Sequence, residues 1–340
     1  MKTSTQFLVA ATLAAATSTA SAITITATQD QSTLVDALLA GANTGIVVTG
    51  TTLNGHVQVV DLSGLFPGLP ASPLTSSGTY TNASGTYGIG SGVVLSTGGV
   101  EGITVDVGGG FPPETFVAGY SDGPNAQEGN GWAFGGTFPP SPPDPNDPGS
   151  GTPGVAATDG QEALLDPITG DAATQTFYDH YDVTELVINF DMQSGFDSVA
   201  FKIVFGSEEY PEFVESPFID GFGMFLNGVN IAQVANLPVN IKHPDMTDTV
   251  TGTELDGILA PGGDPVLTFG GLVNPTGNTL RFIVADTSDG ILDTTVYFSA
   301  LAGVPVVPLP GGVWLLGTAV AGLAGRRLLK KREPAAAGAT

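Results

Sequence analysis

Leu186-Val187-Ile188-Asn189-Phe190-Asp191 and Val199-Ala200-Phe201-Lys202-Ile203-Val204-Phe205 decide the fold class of this 340-residue chain. In the first stretch Leu186, Ile188 and Phe190 alternate with Val187, Asn189 and Asp191. In the second, Val199, Phe201, Ile203 and Phe205 alternate with Ala200, Lys202 and Val204. A period of two gives a strand one apolar face, and that face needs a second sheet to cover it. The pattern returns at Leu280, Phe282 and Val284, and again at Val296 and Phe298. Ile46–Val48, Val57–Leu62 and Gly92–Ser96 are further strand candidates. With 48 glycines and 25 prolines the chain is rich in turn formers, which suits many short strands and argues against a helical bundle. The expected architecture is all-β, a jelly-roll-like β-sandwich. One short N-terminal helix is expected, with Thr33 and Asp36 as a capping box, Leu34, Ala37 and Leu38 on its apolar side, and a stop at Gly41.

The ends have a grammar of their own. Residues 1–22 read as a signal peptide: Lys2, then an apolar run from Phe7 to Ala16, then Ala20-Ser21-Ala22 as the cleavage site. At the other end, residues 304–332 join Val307-Pro308-Leu309-Pro310 to an apolar stretch reaching Gly325, followed by Arg326, Arg327, Lys330, Lys331 and Arg332. Val304–Gly325 approaches the length of a bilayer span, and the basic cluster reads as a stop-transfer end kept in the cytoplasm. Residues 333–340 form a tail. The ectodomain is then 23–303, with a Pro/Gly-rich loop insertion at 108–154. The insertion's prolines, Pro139 to Pro148, cannot join a strand ladder because they lack the donor.

Charge and composition exclude several functions. Between residues 23 and 307 only Lys202, Lys242 and Arg281 stand against 32 acidic residues. Such a surface repels nucleic acid and anionic headgroups and attracts cations, with calcium foremost outside the cytoplasm. Without any cysteine there is no disulfide scaffold, no thiolate zinc site and no thiol nucleophile.

Two resemblances follow from these residues. The tail Val307-Pro308-Leu309-Pro310, its apolar stretch and its basic cluster resemble the PEP-CTERM class of sorting signals, VPLPA type, with Gly311 where the motif has alanine. That resemblance implies processing near Pro308–Pro310 by an exosortase, an integral-membrane transpeptidase-like enzyme, and delivery to the envelope or extracellular matrix of a Gram-negative bacterium. An uncleaved membrane anchor is the plainer alternative. Phe205-Gly206-Ser207-Glu208-Glu209-Tyr210-Pro211-Glu212-Phe213-Val214, followed by the run from Phe218 to Gly228, resembles the choice-of-anchor L domain. Gly90–Gly98 and Ala285–Asp293 extend the likeness over about residues 30–301. It implies a bacterial surface protein whose anchor varies between sorting systems, a location rather than a reaction.

The densest polar residues are Glu208, Glu209, Glu212, Glu215 and Asp220 after one strand, and Asp286, Asp289 and Asp293 on another loop. If these loops converge, Glu208, Glu209, Asp220, Asp286, Asp289 and Asp293 make a calcium site, since several like charges buried together call for a cation. Otherwise they cap turns and face solvent. No catalytic residue is nominated. Glu208 and Glu209, being adjacent on a strand, would point to opposite faces and make a poor glycosidase pair. Gly119-Tyr120-Ser121-Asp122-Gly123 fits the nucleophile-elbow pattern but lacks the flanking strand and helix. His56, His180 and His243 have no ligand spacing and read as surface-loop residues. Asn82-Ala83-Ser84 matches a glycosylation acceptor, and Lys202 is an ordinary mid-strand lysine rather than an isopeptide donor. The expected function is non-enzymatic: an exported surface or extracellular-matrix protein, structural or adhesive. Its partners would be an exosortase-type enzyme, extracellular polysaccharide and, through the tail, the membrane. The alternatives are a calcium-dependent carbohydrate-binding module and, behind it, a secreted glycoside hydrolase or esterase.

Overall fold

The two stretches that decide the fold are neighbouring long strands in opposite sheets, β9 (His180–Met192) and β10 (Phe196–Ser207). The computed structural model describes residues 23–40, 44–55, 57–60, 72–100, 102–105, 114–117, 155–171, 174–248, 257–288, 290 and 292–305. The expected signal peptide, the nucleophile-elbow match, the proline run and, from residue 306 on, the expected sorting tail lie outside them.

Before β9 the chain forms β1 (Thr24–Ala27), α1 (Gln31–Leu38), β2 (Ile46–Asn54), β3 (Val57–Val60), β4 (Ser72–Thr75), β5 (Ser77–Thr81), β6 (Gly92–Ser96), β7 (Gly102–Val105), β8 (Glu114–Val117) and α2 (Asp159–Thr169). After β10 come β11 (Gly221–Leu226), β12 (Val229–Asn230), β13 (Gln233–Val234), β14 (Leu237–Asn240), β15 (Met246–Asp248), β16 (Gly257–Leu259), β17 (Leu267–Leu272), β18 (Asn278–Thr287) and β19 (Thr294–Pro305). One sheet runs β1-β5-β6-β19-β10-β16-β15, with β17 also on β10. The other runs β13-β14-β11-β18-β9-β2, with β12 on β11. All pairings are antiparallel, and β3–β4 and β7–β8 are separate hairpin pairs.

Alternation does the packing. Val199, Phe201, Ile203 and Phe205 from one sheet meet Leu186, Ile188, Phe190, Leu280, Phe282 and Val284 from the other in one buried core. Rings cross the gap between sheets: Phe282 lies 4.7 Å from Phe298 and 5.9 Å from Phe201, and Phe222 lies 5.6 Å from Phe298. Each such buried ring contributes about 1.5–3 kcal/mol through area alone, and the edge-to-face contacts add to that.

Three expectations change. The helix α1 is capped by Asp30, whose Oδ1 accepts from the Thr33 amide at 2.8 Å, and not by a Thr33–Asp36 box. A second helix, α2, was not expected; it packs Leu165 and Ile168 on the outer face of the second sheet, against Phe225, Ile283 and Ala285. The last strand runs past the expected ectodomain boundary at 303, because Val304 and Pro305 pair with Ser198 and Phe196. Among the described residues no helix is long and apolar enough to cross a membrane.

Candidate functional site

At one end of the sandwich the inward face of every central strand turns from apolar to polar within a single period of two. Two residues beyond Leu95 is Thr97, two beyond Phe205 is Ser207, and two beyond Val284 is Asp286. Two before Phe222 is Asp220, and two before Val296 is Thr294. Strand geometry therefore projects all five into the same interior, where they are buried. Asp220 accepts from the Thr287 amide at 2.9 Å through Oδ1 and from the Thr294 hydroxyl at 2.7 Å through Oδ2. Thr294 Oγ1 also lies 2.8 Å from Ser207 Oγ, and its amide donates to Thr97 Oγ1 at 2.9 Å.

Further carboxylates converge on this end. Glu208 and Glu209 follow β10 in a turn, both buried, tied down by Glu208 N–H to the Asp293 carbonyl (3.1 Å) and Glu209 N–H to Ser207 Oγ (3.1 Å). The Asp293 carboxylate sits directly over Gly98, where a methyl group would overlap it. Burial of Asp286 pushes its carboxyl well above the usual range, and the negative charges of Asp220, Asp182 and Asp293 push it further; a hydrogen bond from Thr97 opposes them. Its Oδ1 has no hydrogen-bond partner among the described residues. Asp182, whose charge bears on Asp286, is a residue the sequence did not single out. It sits at a bulge where β9 spends an extra residue against β18, with φ at +47°, which interrupts the alternation.

Thus Glu208, Glu209, Asp220, Asp286 and Asp293 come to one end of the sandwich, all at most 5% exposed. Asp289 lies outside the described residues. Glu212 and Glu215 are exposed on the same loop. The adjacent pair Glu208–Glu209 is not on a strand with opposed faces, because β10 has already ended at Ser207.

The histidines are corrected as well. His180 and His243 are buried, not surface-loop residues, while His56 lies outside the described residues. His180 Nδ1 lies 2.5 Å from Glu162 Oε2 and its Nε2 2.7 Å from Thr169 Oγ1, which pins α2 to β9. His243 Nε2 lies 3.1 Å from the Val234 carbonyl, and its Nδ1 accepts from the Asp245 amide. Glu162, Asp166 and His180 place ligand atoms within 4.8 Å of one another, yet both His180 nitrogens are already engaged. The Asn82 side chain is bonded into its own loop through the Thr86 and Ile89 carbonyls. Lys202 is exposed in mid-β10.

A second feature lies on the outer face of β2, β9 and β18, beside the start of α2. It is an open cleft of about 700 Å³ whose polar floor includes Thr52, Asn54, Gln161, Glu185 and Arg281. Buried Glu185 organises it: Oε1 pairs with Arg281 Nη1 at 3.0 Å, and Oε2 accepts from Asn54 (3.0 Å) and Gln161 (3.2 Å). Asp182 lines the cleft's edge.

The segment supplying α2, β9, β10 and the Glu208–Asp220 turn has a recognisable family signature. Residues 146–255 match the Choice-of-anchor L domain family. The match is narrower than the 30–301 resemblance, and it leaves Asp286 and Asp293, contributed by β18 and the approach to β19, beyond the matched domain. A choice-of-anchor domain points to a cell-surface or exported protein. No curated protein and no solved structure matches the chain.

Proposed function

We propose that this protein is a non-enzymatic surface or extracellular-matrix component that adheres to neutral polysaccharide through the cleft on the outer face of β2, β9 and β18, after exosortase-type sorting of its tail. The observation that carries the reading is the cleft's floor: the buried Glu185 carboxylate holds the amides of Asn54 and Gln161 and the guanidinium of Arg281, and Thr52 lines the cleft with them. Planar donors and acceptors fixed in advance suit pairs of sugar hydroxyls, because little side-chain entropy is lost on binding. The acidic surface disfavours anionic polymers, leaving neutral ones. An open site of this kind binds weakly and gains strength from repeated contacts along a polymer.

Retention of the full-length protein on an insoluble neutral glucan tests this directly. The double variant Thr52→Ala/Asn54→Ala is expected to elute at least about tenfold more readily with unchanged circular dichroism. Equal retention of the wild type and the variant contradicts the reading. A second reading, a calcium-dependent carbohydrate-binding module, is favoured by Asp182, which lines the cleft and also bears on Asp286. Retention that disappears in EDTA selects it over the first.

A further inference from the structure

The geometry points to a divalent transition-metal site, with zinc foremost, at the seam between α2 and β9, its protein ligands being His180 Nδ1 and the carboxylates of Glu162 and Asp166. It stands apart from polysaccharide binding, since none of the three residues lines the cleft and the ion is measured without any saccharide.

Two elements supply the ligands. Glu162 and Asp166 stand one turn apart in α2, so their side chains leave the same face of the helix. That face meets His180, the first residue of β9, and the three ligand atoms lie within 4.8 Å of one another. Among the described residues no other three His, Asp or Glu side chains converge so closely. Both His180 nitrogens are engaged, but by partners of different kinds. Nε2 meets the Thr169 hydroxyl at 2.7 Å, which fixes the buried ring from behind, as an outer-shell partner fixes a ligating imidazole. Nδ1 lies 2.5 Å from Glu162 Oε2, so one proton is shared between two groups that are both metal ligands. A divalent cation takes the place of that proton and binds the same two lone pairs. Glu162 is already aimed, because its Oε1 accepts from the His180 amide at 3.0 Å. No hydrogen bond commits the Asp166 carboxylate among the described residues.

The donor set selects the ion. An imidazole with two carboxylates suits zinc, which takes nitrogen and oxygen at about 2.0–2.2 Å and completes a tetrahedron with water. Calcium and magnesium take oxygen and want more of it than two side chains provide. The ion is reached past Glu162, whose side chain is 26% exposed, while the ring behind it is fully buried. Bound there, the ion ties the face of α2 to the start of β9, beside Leu165 and Ile168, which already pack the helix on the sheet.

Isothermal titration of zinc chloride into the EDTA-stripped full-length chain tests the site. The expected result is one ion bound per chain, at least about tenfold tighter than magnesium or calcium, with a proton released that makes the heat depend on the buffer. Asp166→Asn, close in shape, weakens zinc at least about tenfold with unchanged circular dichroism, and Glu162→Gln does the same. Glu212→Gln, on a loop away from α2, leaves binding unchanged. The absence of zinc heat in the wild type overturns the proposal, as does undiminished binding by a folded Glu162→Gln protein. Should Glu162→Gln fail to fold, undiminished binding by Asp166→Asn overturns it equally.

Discussion

Two buried carboxylates on adjacent strands have opposite surroundings. Glu185 in β9 is met by a guanidinium and two amides; Asp286 in β18 is met by three other carboxylates and one hydroxyl. Burial is nearly equal, 4% against 2% exposed. The difference is therefore in partners. Glu185 faces outward, where Asn54, Gln161 and Arg281 from three other elements complete it, and it serves as the fixed point of a polar cleft. Asp286 faces inward, and within the chain itself its charge is opposed rather than completed. A paired carboxylate holds protein groups in place; an opposed one holds its proton.

Substitutions separate the two. Arg281→Ala, which strands Glu185 without its cation, is expected to destabilise by roughly 2–3 kcal/mol in urea unfolding; the partial exposure of the arginine keeps the cost below that of a fully buried pair. Asp286→Asn runs the other way. In EDTA it is expected to stabilise by about 1–2 kcal/mol, because it removes the cost of burying an acid among like charges. A destabilised Asp286→Asn in EDTA would erase the contrast.

Acidity gives a smaller effect of the same sign. The folded chain holds the Asp286 proton more tightly than the unfolded chain does, so in EDTA this group's contribution to stability grows as pH falls from its raised value toward the ordinary carboxylate value of 3.8. Unfolding midpoints of the wild type and Asp286→Asn, measured in EDTA, should therefore draw together as pH falls from 7 to 5. The smallest effect is at Glu212, exposed on the loop that carries Glu208 and Glu209. Glu212→Gln is expected to shift stability by less than about 0.5 kcal/mol in either condition.

Much of this was legible in the residues. The alternation at Leu186–Phe190, Val199–Phe205, Leu280–Val284 and Val296–Phe298 located the four strands that carry the core, because a period of two has one physical meaning in a sandwich. The same alternation, extended by one step, places Asp220, Asp286 and Thr294 inside, a step that residue density alone does not supply. Helix α2 was hidden by Pro167, which removes a helical donor and reads as a breaker; the box in which the Thr158 and Gln161 side chains bond each other's amides was its positive signal. Asp182 was hidden by a bulge that breaks the period. The cleft was illegible because Asn54, Gln161, Glu185 and Arg281 lie far apart in sequence and meet only through the β2–β9–β18 register. The buried histidines were missed because a lone histidine in a polar stretch carries no mark of the helix or turn that will close over it.

The most direct test of the contrast between Glu185 and Asp286 is urea unfolding of Arg281→Ala and Asp286→Asn beside the wild type, in EDTA at neutral pH. A loss of stability in Arg281→Ala and a gain in Asp286→Asn is the predicted result, since one removes the partner of a buried carboxylate and the other removes the cost of burying an acid among like charges. A loss of stability in both variants would contradict it.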